Sequence, residues 1–294
     1  MRNSSPEAVA EAIGLLQQTV FSFSMKMCGH REDAEDTAQE VLFRSLKHLP
    51  KLQDPSALAA WLYTVTRNRC HRMRSVAADS PMRKFSLDDL MPDEAELSRL
   101  LLDSAASPER RLLETEERQF LHQALLQIPT PLRLVLVLHD MEELDTGLVA
   151  KVLNLQVGTV RVRLHRARLA LRKQIARTVE GDRNRTSVPN RKAARRKARD
   201  ATRRPTECRE LFANLSEYLD GRVKPETCDK MSAHIAGCPQ CIAFLRDLRA
   251  AIDRCRSMDV ACDPAVTSRL QVMLTQEYLR MIAISDSAGK VAET

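Results

Sequence analysis

Between residues 181 and 206 the chain offers almost nothing that a folded core could hide, and this gap constrains everything around it. Residues 183 to 204 hold ten Arg or Lys against a single Asp, with few apolar side chains. Such a stretch cannot bury enough apolar surface to offset the entropy of ordering it, so 179–206 reads as a basic, flexible tether. Its local charge of +9 exceeds the +7 of all 294 residues, so the remainder is acidic on balance. Glu32, Asp33, Glu35, Asp36 and Glu40 form one acidic block. Separate basic and acidic blocks imply a nucleic-acid partner and at least one basic protein surface.

The segments flanking the tether are expected to be all-α. Glycine is scarce, at 8 residues, aromatics are few, and no run of alternating β-branched residues is long enough for a sheet. The length suits two or three small domains. The sequence starts without a basic-then-apolar leader, and no apolar run approaches the roughly 20 residues of a membrane span. The expectation is a soluble, cytoplasmic protein with no membrane partner. In a reducing compartment, eight cysteines point to metal or redox chemistry rather than a disulfide framework.

Upstream of the tether, periodicity defines two helical regions, 1–76 and 111–178, with a Ser-, Asp- and Pro-containing linker over 77–110. In the first, Ala34, Ala38, Val41, Leu42, Ser45, Leu46 and Leu49 form a core stripe that leaves Asp33, Asp36, Gln39 and Glu40 largely outside. A helix over 57–74 carries Leu58, Trp61, Leu62 and Val65 on one face, where Trp61 reads as core, and ends in a basic cluster. In the second, a short helix, a tight turn and an Arg-rich helix follow in helix-turn-helix order. Val160, Leu164, Ala167 and Leu171 give that last helix its inner stripe. Thr159, Arg161, Arg163, Arg166 and Arg168 stay off it, where side chains can reach base edges or phosphates. Charge alone leaves a solvated basic face equally open.

Downstream, 207–257 reads as a small helical module, and 258–294 as an amphipathic helix (263–284) with a disordered tail. His234 and Cys238 lie four apart, on one side of a helix ending at Gly237. Cys238-Pro-Gln-Cys241 is a CxxC knuckle, and Cys208 can supply a fourth ligand. Three thiolates and an imidazole make a closed tetrahedral zinc site, here for one Zn2+ that is either structural or redox-responsive. A bare dithiol is the competing reading; the spaced His and the missing βαβ pattern favour metal. Cys228 is an alternative ligand or redox partner. In a module of about 50 residues, metal binding would supply much of the folding free energy.

Several stretches resemble extracytoplasmic-function sigma factors of the sigma-70 family. Val157-Gly-Thr-Val-Arg-Val-Arg-Leu-His-Arg-Ala-Arg168 is similar to their region 4 recognition helix. Asp33-Ala-Glu-Asp-Thr-Ala-Gln-Glu-Val-Leu42 resembles region 2.2, and Ala60-Trp-Leu-Tyr-Thr-Val-Thr-Arg-Asn68 the region 2.3 to 2.4 helix. The likeness spans roughly residues 8–178 and departs at Asp145-Thr-Gly-Leu148, where the family has a Ser-Tyr-x-Glu-like helix start. It implies that Asp33, Asp36, Gln39 and Glu40 dock on core RNA polymerase. It also implies that Arg67, Asn68, Arg69, Arg72 and Arg74 engage the −10 element of promoter DNA. Thr159, Arg161, Arg163, Arg166 and Arg168 would read the −35 element. Cys208-Arg-Glu-Leu, Leu215-Ser-Glu-Tyr-Leu-Asp-Gly221 and His234-x3-Cys238-x2-Cys241 are similar to zinc-binding anti-sigma domains.

The resemblance implies a specificity subunit rather than an enzyme, and no catalytic constellation is legible among the seven His. About 26 flexible residues span ~25–30 Å, so the module can reach its own sigma domains at high effective concentration. A module that modulates sigma activity is the leading expectation. A structural platform for an external regulator, and a helix-turn-helix regulator that never joins polymerase, are the alternatives.

Overall fold

The computed structural model describes residues 5–46, 54–75, 90–92, 96, 114–183, 206–258, 260 and 263–291; among these all regular structure is helical. They fall into two compact units. One comprises Met1–Pro81, Gly147–Leu155 and Asp259–Thr294, the other Met82–Thr146 and Gln156–Met258.

The first unit is built on α1 (Pro6–Cys28), α2 (Arg31–Ser45) and α3 (Pro55–Ser75). Ser5 caps α1 by accepting from the Ala8 N–H at 3.3 Å, Pro6 opens the first turn, and Gly29 closes the helix at φ 82°. The stripe expected on α2 is buried from Ala34 to Leu46, while Leu49 lies outside the described residues. Trp61 packs half-buried against this core.

The helix expected over 263–284 is present as the terminal helix of the chain, Pro264–Val291, and it joins this first unit. Leu270, Leu274 and Tyr278 enter the same core as Val9, Ile13 and Val20 of α1. Gly14 allows the close approach, since a Cβ there would stand 3.0 Å from the Gln271 amide nitrogen. Gln271 Nε2 in turn donates to the Ala10 carbonyl at 2.6 Å. Gln18 Nε2 donates to the Val260 carbonyl at 3.1 Å, which fixes the entry to that helix.

The second unit begins with α4 (Glu114–Leu126) and α5 (Thr130–Leu136), which runs on into a π-helical turn, Val137–Met141. Next in chain order is α6 (Thr146–Leu153), which from Gly147 on is counted with the first unit; Asn154, with φ 53°, makes the tight turn after it, and α7 (Val157–Arg183) of the second unit follows. This is the expected helix-turn-helix order. Val160, Leu164, Ala167 and Leu171 form the buried stripe of α7.

The cysteine module consists of α8 (Thr206–Leu219), α9 (Pro225–Gly237) and α10 (Pro239–Arg256), so the terminal helix is α11. Prolines open α9 and α10, and α9 stops at Gly237 as its sequence requires. Phe212 and Phe244 meet edge to face, centroids 4.9 Å apart, at the centre of the module. Of the 77–110 linker, Leu90 is fully buried and Glu96 is anchored by an ion pair. Residues 184–205 of the tether lie outside the described residues.

Candidate functional site

Two different sides of α7 carry the basic residues of the helix-turn-helix. Thr159 and Arg166 are exposed and Arg163 is half-exposed. Arg161 is also exposed, but it lines a narrow cleft with Glu217, Asp220 and Arg222 of the cysteine module. Arg168 departs from the expectation of a phosphate contact: its side chain is 1% exposed. The reason is a set of acceptors that the local sequence does not show. Arg168 donates to both oxygens of Asp140, at 2.8 and 2.7 Å, to Asp220 Oδ1 at 2.7 Å, and to the Ser216 carbonyl at 3.2 Å.

One turn further on, Arg172 repeats the arrangement. It donates to Glu96 Oε1 and Asp247 Oδ2, both at 2.7 Å, and its guanidinium lies 4.4 Å above the Phe244 ring. Each buried guanidinium thus holds one carboxylate from the helix-turn-helix side (Asp140 or Glu96) and one from the cysteine module (Asp220 or Asp247). Arg222 of the module adds a 2.6 Å hydrogen bond to the buried Thr146 hydroxyl.

The ionisation states follow from these contacts. Burial alone would raise the Asp140 carboxyl, but hydrogen bonds from Arg168 and His139 hold it down at about 2. Burial opposes the charge of Arg168 too, yet Asp140 and Asp220 keep its pKa above the ordinary arginine range. His165, buried beside them, is pushed down to about 4 by desolvation and by the neighbouring charges of Arg168 and Arg166. It is neutral at physiological pH.

The candidate metal ligands converge at the junction of α9 and α10. His234 Nε2 lies 3.4 Å from Cys241 Sγ, and the ligand atoms of His234, Cys238 and Cys241 all lie within 4.8 Å of one another. With usual Zn–N and Zn–S bond lengths, a tetrahedral site separates nitrogen and sulfur by roughly 3.5 Å, so the three donors fit zinc. The side chain of Cys208, at the start of α8, lies outside the described residues. Cys228 is half-buried and outside this ligand group.

On the first unit, Asp36, Gln39, Glu40, the 45% exposed Phe43 and Arg69 line a shallow depression on α2 and α3, and Asp33 is half-buried one turn before it. Glu40 pairs with both Arg44 and Arg69. Arg67 donates to the Val152 carbonyl at 2.6 Å and to the side chain of the exposed Asn68. Thus Arg67 and Arg69, expected to meet DNA, are engaged within the protein, and the side chains of Arg72 and Arg74 are outside the described residues. Sequence reading missed Asp140, Arg172, Asp220, Asp247 and Glu96. One signal was available: Arg161, Arg168 and Arg172, at i, i+7 and i+11, share a side of an ideal helix.

Residues 13–78 match the family model described as "Sigma-70 region 2", residues 118–171 "Sigma-70, region 4", and residues 208–241 "Putative zinc-finger". A region 2 bundle and a region 4 helix-turn-helix in one chain define a sigma-70-type factor. The relatives narrow the class. The ECF RNA polymerase sigma factor SigW of Bacillus subtilis is 28% identical over 60% of this chain and 92% of its own length. The RNA polymerase sigma-H factor of Pseudomonas aeruginosa is 29% identical over 54% and 81%. The ECF RNA polymerase sigma-E factor of Escherichia coli is 28% identical over 47% and 72%. The chain thus carries sigma-70 region 2 and region 4 domains followed by a zinc-finger domain, and its relatives are extracytoplasmic-function sigma factors. No helix among the described residues is long and apolar enough to cross a membrane.

Proposed function

We propose that this sigma factor directs core RNA polymerase to its promoters, and that its own zinc module regulates it by docking on region 4. The polymerase contact falls on the acidic depression formed by Asp36, Gln39 and Glu40, with Asp33 beside it and Phe43 as an apolar anchor. Promoter contacts fall on the end of α3 for the −10 element and on the exposed residues of α7 for the −35 element. One zinc ion, held by His234, Cys238, Cys241 and Cys208, closes the module. Bound zinc supplies structural cross-linking and keeps the thiolates deprotonated; oxidation of those thiolates would release the metal and loosen the fold. The reading places the protein in the cytoplasm with its polymerase.

The observation that carries the regulatory part is the double pairing of Arg168 and Arg172. If the module leaves, each arginine keeps its partner on the region 4 side, Asp140 or Glu96. Undocking therefore strands no buried charge, which would otherwise make separation very costly. An interface of this kind can open without unfolding region 4.

The test compares polymerase binding and promoter-dependent transcription for the wild-type chain and for Asp220→Lys/Asp247→Lys, which sets cations against the two arginines. Higher transcription from the variant is the expected result. Equal transcription from both would leave the module as a structural platform. Truncation after residue 180 is a poorer test, because it also removes α11 and uncovers Val9 and Ile13.

A further inference from the structure

Helical geometry sorts the polar residues of α7 into two stripes. At 100° per residue, Thr159, Arg163 and Arg166 fall within roughly 60° of one another, while Arg161, Arg168 and Arg172 fall within roughly 40°. The two groups lie roughly 160–170° apart around the helix. The module takes the second stripe: Arg168 and Arg172 are buried against α8 and α10, and Arg161 edges the cleft beside Glu217. The first stripe remains open, and Val162 on the same side is 54% exposed.

From this division we infer that the module-docked chain still binds duplex DNA, through Thr159, Arg163 and Arg166, so that docking and promoter reading occur together. This rests on the reading of α7 as the −35 helix. A recognition helix enters the major groove by its exposed face and uses its first turns, which is where this stripe sits. The module's carboxylates Asp220 and Asp247 pair with Arg168 and Arg172 on the opposite stripe, away from the phosphates that Arg163 and Arg166 would meet. Fixing α7 from its other side also pre-orders the helix before it meets DNA. The regulated form is thus a DNA-binding protein in its own right, capable of occupying a promoter without polymerase.

Zinc-loaded, full-length protein incubated with a pool of 30-base-pair duplexes with randomised centres tests this, with hydrogen exchange of α8 to α10 followed in the same samples. The wild-type chain enriches a defined sequence while α8 to α10 stay protected. For that sequence, Arg163→Ala/Arg166→Ala weakens binding at least ~10-fold. Asp220→Lys/Asp247→Lys, the undocked form, binds within ~3-fold of wild type. Enrichment only by the undocked form, or loss of protection in α8 to α10 on adding DNA, overturns the inference and leaves the −35 reading standing. Failure of both forms to enrich any sequence removes the −35 reading itself, and the inference with it.

Discussion

The C-terminal part of this chain is attached at two places by opposite kinds of chemistry. On the first unit, α11 is held by apolar burial: Leu274 and Tyr278 are fully buried within the core that α1 and α2 share. On the second unit, the zinc module is held by guanidinium–carboxylate pairs around Arg168 and Arg172. Removing an apolar element leaves a hydrophobic face in water, which no local rearrangement can satisfy. Opening a charged seam whose arginines keep a second carboxylate leaves every buried charge paired. On the proposed reading, the first attachment is part of the domain and the second is a reversible contact.

Metal removal separates the two most sharply. Stripping zinc with a strong chelator, or Cys238→Ser/Cys241→Ser, should unfold the module. The loss is on the order of 10 kcal/mol of metal-linked folding energy. Hydrogen exchange would then show α8 to α10 unprotected and α11 still protected on α1. Simultaneous loss of protection in α11 would erase the distinction.

Next in size is Leu274→Ala. This truncation of a fully buried leucine should cost about 2–5 kcal/mol in the first unit. Denaturant unfolding read from Trp61 reports it, and the exchange rates of α8 to α10 should stay unchanged.

His165 gives the second unit a pH dependence. Its pKa is lowered to about 4 in the fold from the ordinary histidine value of about 6.5, so between these values the unfolded chain binds the extra proton. Stability therefore falls as pH drops from about 6.5 toward 4, by up to about 3 kcal/mol, and is fully present above that window. His165→Gln should flatten the slope measured in denaturant titrations at several pH values.

The smallest effects grade the charged seam itself. Asp220→Asn removes a carboxylate that is 15% exposed and should weaken docking by about 1.5–3 kcal/mol. Asp247, at 38% exposed, contributes less than about 1 kcal/mol by the same change. Exchange protection of α10 in the two variants checks the order.

Much of this was legible in the residues. The stripe of Ala34, Ala38, Val41 and Leu42 is buried on α2, and the four-residue step from His234 to Cys238 followed by Cys-Pro-Gln-Cys brings three candidate ligands together. Both depend on neighbours a few residues apart, which helical geometry places without help from the rest of the chain. The spacing of the polar residues on α7 divides them into two sides but does not say which side is buried. Arg166 and Arg168 are both off the apolar stripe, and only the second is buried.

Local spacing is enough to specify the helical character of these segments, the order of the sigma regions and a candidate metal-ligand set. Which arginines meet solvent, and where the last helix goes, depends instead on contacts between residues far apart in the chain. Burying Arg168 requires Asp140, 28 positions away, and Asp220, 52 positions away, to converge on one guanidinium. Seating α11 brings the Gln271 amide up against Gly14 of α1. A long cationic side chain is stable either in water or among carboxylates, and the choice rests with residues remote in sequence.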